Sequence, residues 1–205
     1  MKMKAAALLA IAALCCAASR AASEEPKRPV WDVTAAAGFP HFISLQAARK
    51  VTDKLTLGFA GGMSPVPEST KACGARVGMS GYNFEATSRY HFTGTSFFGG
   101  LNLGYQRFSV HSVQNTIPGG SYDITDGVNV IYATPHIGWL KVYASGFSIG
   151  SELGLRIPLS SSRFTDRSGP GNYTPDVSSA VDRGMDALAK KPLPFLTLLR
   201  AGYSF

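Results

Sequence analysis

Four histidines, one cysteine beyond the N-terminal segment and a spread of alternating charges are the residues of this 205-residue chain that could do chemistry. The histidines are His41, His91, His111 and His136. An acyl-transfer centre needs a serine, a histidine and an acid brought to one point. His111 and Ser112 are adjacent in sequence, so on a strand their side chains point to opposite faces. His91 shares a register with Arg89, whereas Ser88 falls on the other face. No Ser–His–acid set converges by spacing, so no catalytic residue is assigned and the chain is read as non-enzymatic. Nor does the chain carry Cys/His metal spacing or a glycine-rich phosphate loop ahead of a helix, so no metal or cofactor is expected. Cys73 reads as a free thiol in a loop, with an intermolecular bridge as the alternative.

The charges are more informative because of what surrounds them. Asp32, Lys50, Glu85, Arg89, His91, His136, Glu152, Arg156 and Arg200 each sit on the polar side of a segment that alternates every second residue. Period-two alternation predicts a strand between two different environments. Eight such segments are predicted: Val30–Ala37, His41–Val51, Leu55–Met63, Tyr82–Phe92, Phe97–Val110, Val128–Val142, Phe147–Leu159 and Phe195–Phe205. In the seventh, Phe147, Ile149, Leu153, Leu155 and Ile157 oppose Ser148, Gly150, Glu152, Gly154 and Arg156. Pro135 removes a ladder donor from the sixth and suggests a bulge there.

Thr52–Lys54, Thr93–Ser96 and Tyr143–Gly146 are short turns, and Gly38-Phe39-Pro40 is a sharp one. The connections Ser64–Gly81, His111–Gly127 and Ser160–Pro194 are long. In the last, Thr174 as N-cap, Pro175 at the first helical position and Lys190-Lys191 at the end predict a short helix. Its stripe of Val177, Ala180, Val181 and Leu188 would cap a barrel mouth or leave the segment a solvated loop.

Read back from the end, Phe205, Tyr203, Ala201, Leu199, Thr197 and Phe195 form one face of the last strand, and Ser204, Gly202, Arg200, Leu198 and Leu196 the other. This ending resembles the closing strand of small Gram-negative outer-membrane β-barrels of the OmpA, OmpX and opacity-protein type. It departs from them in carrying Arg200 where a small residue is common. The resemblance implies an all-β, eight-stranded antiparallel transmembrane barrel with periplasmic termini. It also implies an insertion signal at Tyr203 and Phe205 read by the barrel-assembly machinery, and contact with outer-membrane lipids including lipopolysaccharide. An even strand count with short turns on one side and long loops on the other, broken only by the first hairpin, fits such a barrel.

Alternation alone leaves open which face points inward; a lipocalin-like soluble barrel would bury the apolar one. Against that inversion stand the glycines of the polar face (Gly58, Gly62, Gly100, Gly104, Gly150, Gly154), the aromatics near strand ends, and a charged content of 16%, low for a soluble exterior. The polar faces would then form a lumen charge network of Asp32, Lys50, Glu85, Arg89, His91, Glu152, Arg156 and Arg200. Glu85 and Glu152 would sit among Arg89, Arg156 and Arg200, either filling the lumen or gating a narrow pore.

Residues 1–23 read as a secretory signal: Lys2 and Lys4, an apolar stretch Ala5–Ala18, then small residues. Residues 24–29 read as a periplasmic lead-in and 30–205 as the barrel. Removing Lys2, Lys4 and Arg20 lowers the formal charge from +7 to +4. That excess is scattered, which excludes nucleic acid as a partner. A monomer is expected. The favoured role is a surface protein whose long loops mediate contact or envelope integrity; the alternatives are a passive channel for small solutes and a lipid A-modifying enzyme.

Overall fold

The computed structural model describes residues 31–64, 66–72, 75–116, 120–168 and 175–205; side chains are described except at 65–77, 112–124 and 167–182. The predicted signal segment, the lead-in, Cys73 and Thr174 therefore lie outside the described residues. Nine strands are described: β1 (Trp31–Phe39), β2 (Ile43–Lys50), β3 (Leu55–Met63), β4 (Val66–Ala72), β5 (Ala75–His91), β6 (Phe97–Thr116), β7 (Gly120–Val142), β8 (Phe147–Ser168) and β9 (Leu193–Ser204). One helix, α1 (Pro175–Lys190), precedes β9.

The strands form an eight-stranded closed antiparallel barrel, because β4 continues β3. β3 pairs with β5 from Leu55↔Tyr90 to Met63↔Tyr82, and β4 extends the same ladder from Val66↔Met79 to Ala72↔Ala75 across one irregularity. Closure comes from β1 and β9, paired from Asp32↔Ser204 to Phe39↔Leu196. Trp31 and Phe205 exchange two backbone hydrogen bonds of 2.9 Å at the seam. Closing the sheet leaves no edge in that part of the molecule. The connections 51–54, 92–96 and 143–146 are tight; Gly94 and Gly146 take φ of 73° and 87°, the left-handed region a side chain disfavours.

The first two predicted long loops are mostly strand, and the third is strand to Ser168 and helix over Pro175–Lys190. β5 and β6 pair from His91↔Phe98 up to Ala75↔Gln114, and β6 and β7 from Phe97↔Trp139 up to Thr116↔Gly120. β8 continues to Ser168. The apolar alternation that marks the lower strand stops at Tyr105 in β6 and at Leu159 in β8, where the exposed residues turn polar. Hydrogen bonding continues without it, so the upper ladders left no periodic trace. The register shift in the β7–β8 ladder falls between Ile131 and Tyr132 rather than at Pro135.

The apolar face points outward. Leu45, Leu57, Phe59, Leu101, Leu103, Ile131, Ile137, Leu153 and Leu155 are exposed, and Phe59 is 76% accessible. Exposed aromatics ring this belt at both ends: Trp31, Tyr90, Phe92, Phe97, Tyr143, Phe147 and Phe205 by the short turns; Phe39, Phe42, Tyr82, Phe84 and Tyr105 toward the hairpins. The lipocalin-like inversion is thereby excluded.

One strand departs from the predicted faces. Phe195 and Thr197 were expected on the outer face with Tyr203 and Phe205, but both are buried inside. The register of β9 shifts against both neighbours, between Ala37 and Gly38 of β1 and between Gly150 and Glu152 of β8. β9 carries one extra residue there. Leu198 and Leu199 consequently both point outward, and everything before them changes face.

At the hairpin end the barrel is filled. Met185 and Ala189 of α1 pack with Phe108, Val128, Val130 and Tyr132, with Val110 and Leu188 at the margin. Arg163 and Asp186 pair across the exposed side at 3.7 Å. The helix begins at Pro175, as its sequence predicts. Of the predicted stripe, Val177, Ala180 and Val181 have side chains outside the described set; the described anchors are Met185 and Ala189.

Candidate functional site: two charge clusters inside the barrel

Outside the bulge of β9, alternate residues of the barrel strands with described side chains project inward, and glycines make room for the large ones. A Cβ on Gly104 would stand 2.7 Å from the Tyr132 ring, one on Gly100 would stand 2.5 Å from His136 Nε2, and one on Gly138 would overlap Phe98. At these three positions the absent side chain is the space a neighbour's ring occupies, whereas at Gly58, Gly150 and Gly154 the nearest atom is the neighbouring strand's backbone carbonyl oxygen.

The interior charges divide into two clusters. Toward the hairpin end, Glu85 is surrounded by donors. Its Oε1 accepts from the Tyr132 hydroxyl at 2.6 Å, Asn83 Nδ2 at 2.8 Å and Arg156 Nη2 at 2.8 Å; its Oε2 accepts from Asn102 Nδ2 at 3.0 Å. The Arg156 guanidinium lies 3.9 Å above the Tyr132 ring and donates to Gln106 Oε1. Its Nη1 also donates to His41 Nε2 at 2.8 Å. A guanidinium only donates, so His41 presents an unprotonated Nε2 there.

Nearer the short turns, Glu152 sits between two arginines. Arg200 Nη2 donates to Oε2 at 2.7 Å, and Arg89 Nη2 lies 3.1 Å from Oε1. Gln46 Oε1 accepts from both guanidinium groups, and its Nε2 donates to Thr87 at 2.8 Å. Asp32 is a looser third acid, 3.9 Å from Arg89 Nη1, with its Oδ1 accepting from Ser204 at 3.0 Å and Ser148 at 3.3 Å. Phe98 separates this cluster from the histidines: its ring lies 5.2 Å under Arg89 and 5.5 Å from His91.

Each cluster keeps ionised groups in a buried interior by pairing them, while the Nε atoms of Arg89, Arg156 and Arg200 and the Oδ1 atoms of Asn83 and Asn102 have no hydrogen-bond partner among the described residues. Glu85, Glu152, Arg89, Arg156 and Arg200 are all at least 94% buried. Of the predicted network, Asp32, Glu85, Arg89, Glu152, Arg156 and Arg200 join these clusters. Lys50 and His91 do not; they line a vestibule at the short-turn end, where His91 Nε2 lies 3.3 Å from Thr56 Oγ1. His136 donates through Nδ1 to the Thr134 carbonyl at 3.1 Å. Tyr203 pairs with Val33 within the β9–β1 seam, and Phe205 lies just beyond its last rung, bonded to Trp31. Neutral partners, namely Gln46, Asn83, Asn102, Gln106 and Tyr132, complete the clusters; their inward parity was visible in the sequence, their pairing was not.

One serine does meet a histidine. Ser64 Oγ is 3.4 Å from His41 Nδ1, but it donates to the Pro40 carbonyl at 2.7 Å, and the far nitrogen of His41 faces Arg156 rather than an acid. A cation in that position opposes formation of an imidazolium, so this pair is not built to activate a hydroxyl. Among the described residues no group of His, Cys, Asp or Glu is arranged to hold a metal ion.

The cavities between these layers set what could pass. The vestibule encloses about 540 Å³. Above it, the space beside Gln46, Glu85, Thr197 and Arg200 shrinks to about 30 Å³, the volume of one water.

The fold and interior define a small antiparallel barrel with an apolar outside and a paired, polar inside. No protein-family model matches the chain, and no curated protein matches it in sequence. Among solved structures it is similar to a major outer membrane protein from Thermus thermophilus, with a TM-score of 0.53 at 14% identity over 87% of this chain and all of that one. It also matches Acinetobacter baumannii CarO (TM-score 0.49, 10% identity, 89% of this chain and all of that one) and CarO2 (0.48, 11%, 87% and all). At 14% identity the Thermus likeness shows the fold.

Proposed function

We infer that this chain is an outer-membrane barrel with a sealed interior, whose hairpin extensions and helix form a surface for contact or envelope integrity. The observation that carries the reading is the belt. Exposed apolar side chains span Phe97–Tyr105 in β6, nine residues, which matches the roughly 9–11 residues a tilted strand needs to cross the hydrocarbon. Aromatic girdles bound it on both sides, and the charges are withdrawn inside. The fold shared with a protein described as a major outer membrane protein supports the location.

In this reading the short turns face the periplasm, residues 1–23 are the export signal, and Phe195–Phe205 is read by the assembly machinery. Lipid, including lipopolysaccharide, covers the belt. The upper parts of β4 to β8, with α1 packed on their inner face, stand outside. The role is non-enzymatic, and lipid A mass spectra that are unchanged by deleting the protein support that; a changed acylation pattern rejects it.

The narrow-channel alternative draws on the vestibule, which reaches from the short-turn end to Asp32 and Arg89. Planar-bilayer recording separates the two. The sealed reading expects no discrete conductance from heat-modifiable, folded protein. Steps of constant size from the wild-type chain overturn it in favour of the channel.

A further inference from the structure

The vestibule at the short-turn end meets the sealed interior only at Asp32 and Arg89, and its walls differ in chemistry. On one side stand Lys50 at the end of β2, Lys54 before β3, and Thr56 with His91. Arg89 closes the floor on the same side. Across the opening stand Leu140 and Val142 at the end of β7. The inward parity of His136 and Gly138 carries on to Leu140 and Val142, so these two aliphatic side chains line the vestibule wall, Val142 at its exposed mouth.

The acids beside the basic wall have partners of their own, although Asp32 Oδ2 makes no hydrogen bond. Asp32 is held by Ser148 and Ser204 and turned toward Arg89, and Asp53 has a contact of its own. Among the described residues, the ammonium groups of Lys50 and Lys54 have no carboxylate within ion-pair distance. Two ammonium groups with no ion-pair partner among the described residues, beside an imidazole, favour an anion, and the facing aliphatic wall favours an apolar body attached to it. About 540 Å³ lies within the range of small-molecule sites and exceeds what a bare ion needs.

We propose that the vestibule is a binding site for a small amphipathic carboxylate, its carboxylate on Lys50 and Lys54 and its apolar body against Leu140 and Val142. A carboxylate accepts charge-assisted hydrogen bonds from both lysines, and the aliphatic wall excludes water from the rest of the ligand. The site is reached from the short-turn end and does not require passage through the barrel. It therefore stands or falls independently of whether the protein conducts.

The probe is 4-fluorobenzoate, followed by fluorine NMR with the full-length mature protein in lipid nanodiscs. Empty nanodiscs remove the contribution of partition into lipid. Saturable broadening is expected with the protein. It is expected to weaken by roughly tenfold in K50Q/K54Q, whose side chains keep much of their length and lose their charge. Loss of the aliphatic wall in L140S/V142S should weaken 4-fluorobenzoate but leave fluoroacetate unchanged. Each variant is first shown to migrate as the compact, heat-modifiable form. Absence of saturable binding, equal binding of 4-fluorobenzamide, or unchanged affinity in K50Q/K54Q overturns the proposal. Binding of fluoroacetate as tight as that of 4-fluorobenzoate overturns the apolar half of it, leaving an anion site only.

Discussion

Replacing Glu152 with alanine tests the interior most directly, because two arginines depend on that one carboxylate. Arg200 approaches it at 2.7 Å and Arg89 at 3.1 Å. At an effective dielectric near 20 each contact contributes roughly 5–6 kcal/mol of gross attraction. Deleting the carboxylate also releases its own desolvation cost of several kcal/mol, so the net loss expected is about 3–5 kcal/mol. Glu85→Ala offers a contrast, since it strands one arginine instead of two: Arg156 keeps Gln106, His41 and the Tyr132 ring. The assay is equilibrium urea unfolding in lipid vesicles, read by tryptophan fluorescence. E152A should fall below E85A. The double variant E152Q/R200Q should recover part of the loss by removing a stranded cation together with its partner. If E152A unfolds within about 1 kcal/mol of the wild type, the arginines are solvated and pairing with Glu152 does not hold the interior together.

Three further predictions follow from packing. Met185→Ala removes the buried anchor of α1, with a local cost of about 2–4 kcal/mol; trypsin should then cut at Arg183 or Lys190 much faster while the barrel stays heat-modifiable. Gly138→Val pushes methyl groups into the Phe98 ring; the compact band on unheated gels should be lost or sharply reduced. Deleting Leu198 should be tolerated, because it removes the extra residue of β9 and restores strict alternation, whereas deleting Leu196 reverses the face of Phe195 and should abolish the compact form.

What the sequence revealed depended on whether the two faces of a strand differ in environment. In the belt they do: Phe147, Ile149, Leu153, Leu155 and Ile157 meet an apolar exterior, while Ser148, Glu152 and Arg156 meet the interior. Parity there put Asp32, Glu85, Arg89, Glu152, Arg156 and Arg200 on the polar face. Above the belt the contrast fades. Ser160, Ser161 and Ser162 are all exposed although they lie in a regular ladder with β7. Hydrogen bonds hold that segment, and backbone hydrogen bonds leave little mark on side-chain type, so 64–81, 111–127 and 160–168 read as loops. Partners within the interior were hidden for a different reason. Parity fixes a face, but the two charge clusters depend on how far each strand is displaced along the barrel, which comes from closure.

The closing strand meets both environments. Its C-terminal half must keep Tyr203 and Phe205 outward at the seam with β1, and Arg200 inward against Glu152. Its N-terminal half must receive the chain from α1 and turn Phe195 inward, where its ring lies 5.9 Å from both His136 and the Arg156 guanidinium. Phe195 and Phe205 are ten residues apart, so unbroken alternation would put them on the same face. One inserted residue resolves the conflict, and it falls where both neighbouring ladders shift. The extra leucine faces the apolar exterior, the one direction in which Leu198 and Leu199 can both point without burying a mismatch. The bulge is therefore what lets one strand serve the outer seam at one end and the sealed interior at the other.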